Sequence, residues 1–339
     1  MAMVESREVR EGLVVRVDAR QCEVRPDGPE PAPRPARLRG RLFEQRGEDR
    51  IPVAVGDRVR LEVDPASGEL VVAAILPRRN LFARRVAGED ERRQLLAANL
   101  DLVVHVACFG TPPFSSVLAD RVLVAASFAG IPAALVLNKT DLGRKRRMER
   151  VIETYRGAGY PVLTASAKRG EGIEELQELL RDRTSILYGL SGVGKSSLLN
   201  RIEPGLGLRT REVSRSLRSG RHTTTFAQLH LLACGGAVID TPGVRVFRPY
   251  GLPPHELRLH YPELARIGRD CRFPDCLHRG EPGCAVAAAL EQGRIPASRH
   301  RSYLELLAEL ESVYGGTGPT DAPVGGPEAR GSRPKPPRC

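Results

Sequence analysis

Residues 186–197 constrain the fold of this chain more than any other stretch. They read ILYGLSGVGKSS, and Gly189, Gly194, Lys195 and Ser196 fill the fixed positions of the pattern G-x-x-x-x-G-K-[ST]. An apolar run precedes the loop and an apolar helical stretch follows it, which is the strand–loop–helix context that the pattern needs. Glycines let the loop turn its N–H groups toward a phosphate chain, and the helix N-terminus adds a positive dipole end. We predict an α/β domain with a phosphate-binding loop; a fortuitous glycine-rich turn is the alternative.

The side chains of this loop have separate expected roles. Lys195 should reach the β- and γ-phosphates and act in catalysis, and the Ser196 hydroxyl should bind the Mg²⁺ that bridges them. The residues of the loop that we predict to contact the nucleotide are Gly189, Leu190, Ser191, Gly192, Val193, Gly194, Lys195, Ser196 and Ser197.

A second motif, Asn138-Lys-Thr-Asp141, follows an apolar strand and indicates which base is bound. The Asp141 carboxylate can accept hydrogen bonds from N1–H and N2–H₂ of guanine. Adenine offers neither donor there and would leave a buried carboxylate unpaired. Asn138 would tie the loop together, and the stem of Lys139 would cover the base. With Thr140, these residues predict binding of GTP and GDP, although the tetrapeptide alone is a modest signal.

Two more motifs also follow predicted strands. Ser166, Ala167 and Lys168 would present a backbone N–H to guanine O6. In the sequence Asp240-Thr-Pro-Gly243, Asp240 suits Mg²⁺ through a water and the Gly243 N–H suits the γ-phosphate. Four motifs at strand ends together predict a GTP-binding domain.

The order of these motifs differs from that of ordinary GTPases, in which the phosphate loop comes first and N-K-x-D last. Here residues 138–141 and 166–168 precede the phosphate loop, and residues 240–243 come last. This order predicts a circular permutation, which a domain tolerates when its termini lie close together. The segment after Gly243 then leads straight into the C-terminal part of the chain. We expect a nucleotide-driven movement to be passed to that part.

Composition narrows the class of protein. A chain of 339 residues can hold two or three domains with their own cores. It has no run of about 18 apolar residues and no hydrophobic signal core at its start, so we expect a cytoplasmic protein without a membrane partner. The net charge of +11 suits a polyanion, although the dominance of arginine over lysine also fits a GC-rich genome. Seven cysteines in this compartment favour metal ligands or free thiols over disulfides.

The N-terminal part, residues 1–85, reads as five short strands separated by turn residues, one of them over residues 37–42. This pattern predicts a small β-barrel of the OB type that binds RNA. Arginines crowd its middle and would lie along RNA phosphates, or would form a solvated basic face. They are Arg34, Arg37, Arg39, Arg41, Arg46 and Arg50.

The rest of the chain divides into three parts. Over residues 86–250 apolar strands alternate with helical stretches, which predicts a three-layer α/β domain with a mostly parallel sheet. Residues 251–314 are expected to form a helical unit, with a Leu-rich helix from Tyr303 to Val313. Residues 315–339 are Gly, Pro and charge, and we expect them to be disordered.

The helical unit contains Cys271, Cys276, His278 and Cys284 in the spacing C-x₄-C-x-H-x₅-C. Three thiolates and one imidazole can close a tetrahedral Zn²⁺ site, and four protein ligands leave no open position. One structural zinc is therefore predicted. The alternative is buried free cysteines with a surface histidine.

Together these motifs resemble those of the circularly permuted GTPases of the RsgA (YjeQ) family, which act in biogenesis of the small ribosomal subunit. The likeness covers about residues 10–312 and includes VGDRV from Val55, LPRRNLFAR from Leu76, AANLD from Ala97 and GRHTTT from Gly220. It implies an N-terminal OB-fold, a permuted GTPase core and a C-terminal zinc-binding domain. It also implies GTP hydrolysis stimulated by the 30S subunit during late maturation, with contacts to 16S rRNA. We expect the chain to be a monomer.

The stretch 209–225 is polar, basic and without apolar periodicity, as expected of a mobile switch. Val244 stands where many GTPases have the glutamine that orients the attacking water. Our hypothesis is that His222 takes this catalytic role once the ribosome orders the switch; a contact with RNA or solvent is the alternative. The family resemblance implies that Thr224 or Thr225 completes the Mg²⁺ shell. The expected Mg²⁺ ligands are therefore Ser196, Thr224, Thr225 and Asp240.

Two other functions compete with this interpretation. In the first, the chain is a GTP-gated RNA-binding protein with negligible hydrolysis, and Val244 reflects the lost activity. In the second, it is a P-loop metabolic kinase, which is disfavoured because Asp141 specifies guanine and no phosphoacceptor pocket is evident.

Overall fold

The structure is a computed structural model that describes residues 10–18, 21–28, 32–86, 92–143, 146–208, 227–243 and 246–314. It confirms the predicted fold class: an N-terminal β-barrel, a central α/β domain and a C-terminal helical unit that carries the Cys/His cluster. Within these ranges, no helix has both the length and the apolar composition that spanning a bilayer requires.

Five strands form the barrel: β1 (Arg10–Val17), β2 (Gln21–Pro26), β3 (Arg34–Leu38), β4 (Arg58–Val63) and β5 (Leu70–Ile75). β1 pairs antiparallel with β2 and, at its start, with β4, which closes the barrel. β3 and β5 run parallel. Alternate side chains point inward, and Val14, Val24 and Val59 are fully buried in the barrel core.

The strand predicted over residues 37–42 is wrong in its second half. β3 ends at Leu38, and a short helix, α1 (Gly40–Glu44), follows. Leu42 is buried in the barrel core from this helix. Apolar residues four positions apart share one face of a helix, so the leucine spacing fits a helical turn as well as a strand.

Some of the barrel arginines have acidic partners within the barrel. Arg37 pairs with Glu69 (Nε–Oε2, 2.9 Å), and Arg39 pairs with Glu62 (NH2–Oε2, 2.6 Å). The basic face is therefore partly neutralised by its own carboxylates.

The central sheet consists of β8 (Leu102–Cys108), β9 (Ala133–Asn138), β10 (Val162–Thr164), β11 (Thr184–Tyr188), β12 (Gln228–Leu231) and β13 (Ala237–Asp240). Their order is β10-β9-β8-β11-β13-β12, in which β12 alone of these six is antiparallel. β12 also pairs with β1, so the barrel and the central sheet share one continuous sheet.

The helices of the central domain are α2 (Ser116–Phe128), α3 (Arg146–Gly157), α4 (Ile173–Leu180) and α5 (Lys195–Ile202). Helices α2 and α3 bury side chains in the same core clusters as one part of the sheet, and α4 and α5 do so with another. The sheet strands are almost continuously buried, as expected of a parallel sheet that is covered on its faces.

A hairpin of β6 (Leu81–Arg85) and β7 (Arg93–Ala98) was not predicted from the sequence. Its strands are rich in arginine and lack regular alternation, yet Phe82 and Ala97 are fully buried. The domain boundary between residues 85 and 86 remains a prediction, and β6 and β7 pair across it.

Three of the stretches that carry the family resemblance meet beside this hairpin. Arg78 donates to both carboxylate oxygens of the buried Asp57 (2.7 Å each). Asn99 donates through Nδ2 to the Gly56 carbonyl (2.9 Å). These contacts join the barrel to the chain that enters the central sheet.

The C-terminal unit contains α6 (Pro262–Ile267), α7 (Ala285–Glu291) and α8 (Ala297–Tyr314), and α8 includes the predicted Leu-rich helix. Its core contains Leu257, Leu264 and Leu306 together with Val124 of α2. The unit is thus packed directly on the central domain.

Candidate nucleotide site and metal centre

The four nucleotide motifs meet at one edge of the central sheet. Asn138 ends β9 and Asp240 ends β13, while Ser166 and Gly189 follow β10 and β11. These four strands run parallel, so their carboxyl ends lie on the same side, where ligands bind in open α/β sheets.

The phosphate-binding loop is packed so tightly that two of its glycines admit no side chain. A Cβ on Gly189 would lie 2.1 Å from the Val106 carbonyl oxygen, and one on Gly194 would lie 2.2 Å from Asn138 Nδ2. Gly194 also has a φ of +97°, which favours glycine. Directly after it, α5 begins at Lys195, so the loop ends on a helix N-terminus.

Lys195 and Asp240 form the charged centre of this edge, and both are buried. The Lys195 Nζ donates to the carbonyls of Gly189 (3.0 Å) and Leu190 (3.4 Å). Burial lowers the pKa of Lys195 to about 8, against the opposing effect of Asp240. Burial likewise raises the pKa of Asp240, against the stabilising charge of Lys195.

The two predicted magnesium ligands in the described chain are in contact. Ser196 donates its hydroxyl to Asp240 Oδ2 at 3.1 Å. The other oxygen, Asp240 Oδ1, is buried and has no hydrogen-bond partner among the described residues. A hydroxyl and a carboxylate with a spare buried oxygen are donors that fit Mg²⁺.

Asn138 and Lys139 hold the loops of the site together, as predicted for Asn138. The Asn138 side chain donates to the Val193 carbonyl (2.9 Å) and accepts from the Ala167 amide (3.1 Å). Lys139, with a φ of +66°, donates through Nζ to the carbonyls of Gly192 (2.6 Å) and Thr111 (2.7 Å). The phosphate loop and both base-side loops therefore form one hydrogen-bonded unit.

The carboxylate of Asp141 is oriented by Ser166. The fully buried Ser166 donates its hydroxyl to Asp141 Oδ1 at 2.7 Å. Thr140 next to it donates its hydroxyl to Glu171 (3.1 Å), and its amide donates to the Ala165 carbonyl (3.1 Å). A carboxylate fixed in this way presents its remaining lone pairs in a defined direction.

Two residues near the site were missed by sequence reasoning. Arg201 of α5 donates to the carbonyls of Ala167 (2.7 Å) and Lys168 (2.9 Å), which fixes the third motif. His105 of β8 is buried near Lys195, and burial together with that charge lowers its pKa to about 3. Neither residue belongs to a motif with a recognisable spacing. The sequence therefore predicts only that Arg201 lies on a helix and His105 on a strand, and not that they lie near the site.

The fourth motif approaches the phosphate loop through its glycine. A Cβ on Gly243 would lie 2.4 Å from Ser191 Cα, so the two backbones are in direct contact. Thr241 donates its hydroxyl to the Leu187 carbonyl (2.7 Å) of the strand that precedes the loop. The remaining predicted residues of the hydrolytic centre, His222, Thr224, Thr225 and Val244, lie outside the described residues.

The four residues of the predicted metal centre come together. One ligand atom from each of Cys271, Cys276, His278 and Cys284 lies within 4.8 Å of all the others. His278 Nδ1 is 3.6 Å from the sulfurs of both Cys271 and Cys284. A tetrahedral zinc site with bonds of about 2.0–2.3 Å has edges of roughly 3.5–3.8 Å, so this donor set fits a zinc ion after slight contraction.

The backbone around this cluster is shaped to hold it. His278 has a φ of +59°, and its carbonyl is within 2.8 Å of His300 Nε2 on α8. Amides at the start of α7 donate to Cys271 (3.3 Å) and Cys284 (3.4 Å). N–H groups that point at sulfur stabilise the thiolate form that a metal requires.

Comparison with known proteins identifies the relatives of this chain. A family model described as RsgA GTPase matches residues 75–249. The small ribosomal subunit biogenesis GTPase RsgA of Chlorobaculum parvum is 44% identical over 266 residues, which cover 76% of this chain and 86% of the relative. The protein of the same name from Gemmatimonas aurantiaca is 40% identical over 276 residues, or 81% and 90% of the two chains.

Solved structures agree with these relatives. The crystal structure of YjeQ from Thermotoga maritima matches with a TM-score of 0.68 and 36% identity, covering 89% of this chain and 98% of that one. The structure of YloQ, described as a circularly permuted GTPase, matches with a TM-score of 0.65 and 27% identity, covering 92% and 99%.

Proposed function

The chain belongs to the RsgA family of GTPases, and from this premise we propose that it binds the 30S ribosomal subunit and hydrolyses GTP during the late maturation of that subunit. One observation carries the nucleotide part: the oriented Asp141 carboxylate and the phosphate-binding loop lie at one sheet edge and are tied together through Asn138. The ribosomal part is supported by the names of the relatives and by the net charge of +11.

In this proposal the base is held by the second and third motifs. Asp141 accepts from N1–H and N2–H₂ of guanine, and the 166–168 loop presents an amide to O6. Adenine would leave the Asp141 carboxylate without these donors, which costs several kcal/mol of affinity. The kinase alternative is disfavoured, because a kinase that uses ATP would not need a carboxylate placed to bind guanine.

The phosphate chain is held by the nine residues from Gly189 to Ser197. Lys195 neutralises charge on the β- and γ-phosphates, and the N-terminus of α5 adds its dipole. Ser196, Asp240, Thr224 and Thr225 are the residues that we assign to hold Mg²⁺, which would neutralise the charge that develops on the phosphates during hydrolysis. The Gly243 amide reports on the γ-phosphate, because Gly243 already contacts the loop backbone at Ser191.

Hydrolysis also needs a group that orients the attacking water. Val244 cannot hydrogen-bond a water, so we assign the orienting role to His222 in the ribosome-bound state. Membership of a GTPase family supports GTP hydrolysis over the alternative, a GTP-gated RNA-binding protein with negligible hydrolysis. If His222→Ala with intact GTP binding turned over at the wild-type rate on ribosomes, this assignment would be wrong.

We assign one structural zinc to the Cys271, Cys276, His278 and Cys284 cluster. The donor set supports zinc, because thiolates and imidazole are its preferred ligands and four of them leave no position for catalysis. The ion would hold the loop of residues 271–284 in place against α8, which it contacts through His278 and His300.

The proposed function is tested by sedimentation of the full chain with purified 30S or 50S subunits. GTP, a non-hydrolysable analogue, GDP and an ATP analogue provide the matched nucleotide arms. We expect co-sedimentation with 30S that is strongest with the non-hydrolysable GTP analogue and weak with GDP or the ATP analogue. Equal binding to both subunits, or binding that ignores the nucleotide, would contradict the proposal.

A further inference from the structure

Two neighbouring residues of α2 bind α8 through ion pairs of opposite polarity. Asp120 contacts Arg299, and Arg121 contacts Glu309 Oε2. The two partners are ten residues apart on α8, or about 15 Å along the helix axis. Side chains adjacent in sequence point about 100° apart on α2, which lets them reach such distant points of the crossing helix.

Arg121 makes a second contact, which leads back to the nucleotide site. Besides Glu309, its guanidinium donates through NH1 to the Phe247 carbonyl (3.3 Å). Phe247 lies four positions after Gly243, which contacts the phosphate loop. One side chain thus joins α8 to the segment that follows the γ-phosphate-sensing glycine.

Residues 246–248 of this segment are held from three sides. Arg84 donates through NH1 to the Val246 carbonyl (2.9 Å), and the Arg85 amide donates to the Arg248 carbonyl (2.9 Å). The Phe247 ring is fully buried and lies edge-on to Tyr188, with ring centres 5.2 Å apart. Tyr188 directly precedes Gly189, so a displacement of Phe247 would be felt at the start of the phosphate loop.

Glu309 is the counter-ion for two guanidinium groups at this point. Arg85 approaches Oε1 (3.5 Å) while Arg121 contacts Oε2, and the side chains of both arginines are at most 15% exposed. Without Glu309, two poorly solvated cations would face each other beside the Phe247 carbonyl. Buried like charges repel strongly, so the arginines would move toward solvent and release that carbonyl.

We propose that Glu309 is a positioning residue for GTP hydrolysis, which acts through Arg121 on the Phe247 peptide and, through the contact of the Phe247 and Tyr188 rings, on the start of the phosphate loop. Because Glu309 belongs to the C-terminal unit, the position of that unit and the geometry of the γ-phosphate site are coupled. Coupling of two binding sites is reciprocal, so a ligand that shifts the unit also shifts nucleotide affinity. This inference rests on the proposed function for its link to hydrolysis, but its contacts are independent of it.

Glu309→Ala tests the proposal, with Glu311→Ala as the matched control. Glu311 lies on the same helix and pairs with Arg279 within the C-terminal unit, away from the Phe247 segment. The first readout is amide hydrogen exchange of the GDP-bound full chain at Arg85 and Gly251, whose amides donate to Arg248 and Tyr314. We expect exchange at both to be about fivefold or more faster in Glu309→Ala and unchanged in Glu311→Ala.

The second readout is 30S-stimulated GTP turnover. We expect Glu309→Ala and Arg121→Ala each to lower kcat by about tenfold with KM for GTP nearly unchanged, and the double variant to be no worse than either, because the residues act as one unit. Unchanged exchange in Glu309→Ala, or changed exchange with wild-type kcat, would overturn the proposal. If the wild-type chain failed to hydrolyse GTP at all, the proposed function would fall, and the exchange result would still decide whether Glu309 holds the segment.

Discussion

At the scale of single residues, the site depends on groups whose protonation and orientation are set by burial. Ser166 is fully buried and orients Asp141. Lys195 and Asp240 are also buried, and each stabilises the charged form of the other.

Asp141→Asn should exchange base specificity. The amide nitrogen of the substituted side chain would be a hydrogen-bond donor facing the N1–H and N2–H₂ donors of guanine. GDP affinity should therefore fall by at least about 100-fold, or roughly 2.7 kcal/mol. Xanthine carries an oxygen acceptor in place of the 2-amino group and should bind the variant better than guanine does. Equilibrium titration with GDP and XDP measures both, with the exposed Asp275→Asn as control. Retained GDP affinity in Asp141→Asn would show that Asp141 does not contact the base.

Nucleotide binding should take up a proton at alkaline pH. Burial lowers the pKa of Lys195 from 10.5 to about 8, so the free protein holds this amine mostly charged at pH 7 and mostly neutral at pH 9. Phosphates favour the charged form, so GDP binding at pH 9 should absorb about one proton, and binding at pH 7 much less. Calorimetry in two buffers of different ionisation enthalpy measures this, and Lys195→Met should abolish the uptake. Proton uptake that did not depend on pH would contradict this role of Lys195.

The same shift affects stability with a definite sign. The unfolded chain holds more protons than the folded chain between pH 8 and 10.5, so this group makes the free energy of unfolding rise with pH in that window. Below pH 8 the folded chain carries the buried charge of Lys195, and the resulting loss of unfolding free energy is fully present there.

At the scale of elements, strands and loops that carry motifs were predictable, and elements defined by long-range contacts were not. The strands before Asn138, Gly189 and Asp240 are apolar runs that end at a motif, and all three are where the sequence predicts them. The β6–β7 hairpin was not predicted, because its side chains are buried by residues of other elements, as Phe82 is by Tyr188. The site residues within described motifs meet as expected, whereas Arg201 and His105 had no spacing to reveal them.

Removing the metal should unfold the C-terminal unit and spare GDP binding. The 271–284 knuckle has short helices and turns around it, and its thiolates would repel one another without a cation. The purified chain should contain about one zinc, and a strong chelator should abolish the C-terminal thermal transition. GDP affinity should change much less, since GDP lacks the γ-phosphate to which we couple that unit and none of its predicted ligands lies there. A chain purified without zinc, or a transition insensitive to the chelator, would contradict the assignment.

Helix α8 should depend on one buried cation for its docking. Arg299 is 1% exposed, donates to Glu263 (2.6 Å) and lies over the Tyr261 ring (4.7 Å) beside Asp120. Arg299→Met leaves the buried Asp120 and Glu263 carboxylates without their cationic partner and should cost roughly 3–5 kcal/mol of unfolding free energy. The exposed Arg294→Met should cost under about 0.5 kcal/mol. Urea denaturation compares them, and equal midpoints would mean that the Arg299 cluster does not hold the unit in place.

At the scale of the whole molecule, the order of the motifs explains why the three parts are so closely connected. The permutation places Gly243 just before the C-terminal unit, and Arg121 adds a side-chain link between that unit and the same segment. On the other side, β12 pairs with β1 of the barrel. In the proposed function, a change at the γ-phosphate therefore has a short path to both flanking parts, of which the barrel is the one that we predict to bind RNA.

The central claim is that this chain is a GTPase governed by the small ribosomal subunit, and steady-state turnover tests it most directly. The full chain is assayed with GTP or ATP, alone and with purified 30S or 50S subunits. We predict slow GTP hydrolysis by the chain alone, stimulation by 30S of at least about tenfold, no stimulation by 50S and negligible ATP turnover. GTP turnover that 30S leaves unchanged, or hydrolysis of ATP in preference to GTP, would contradict the account.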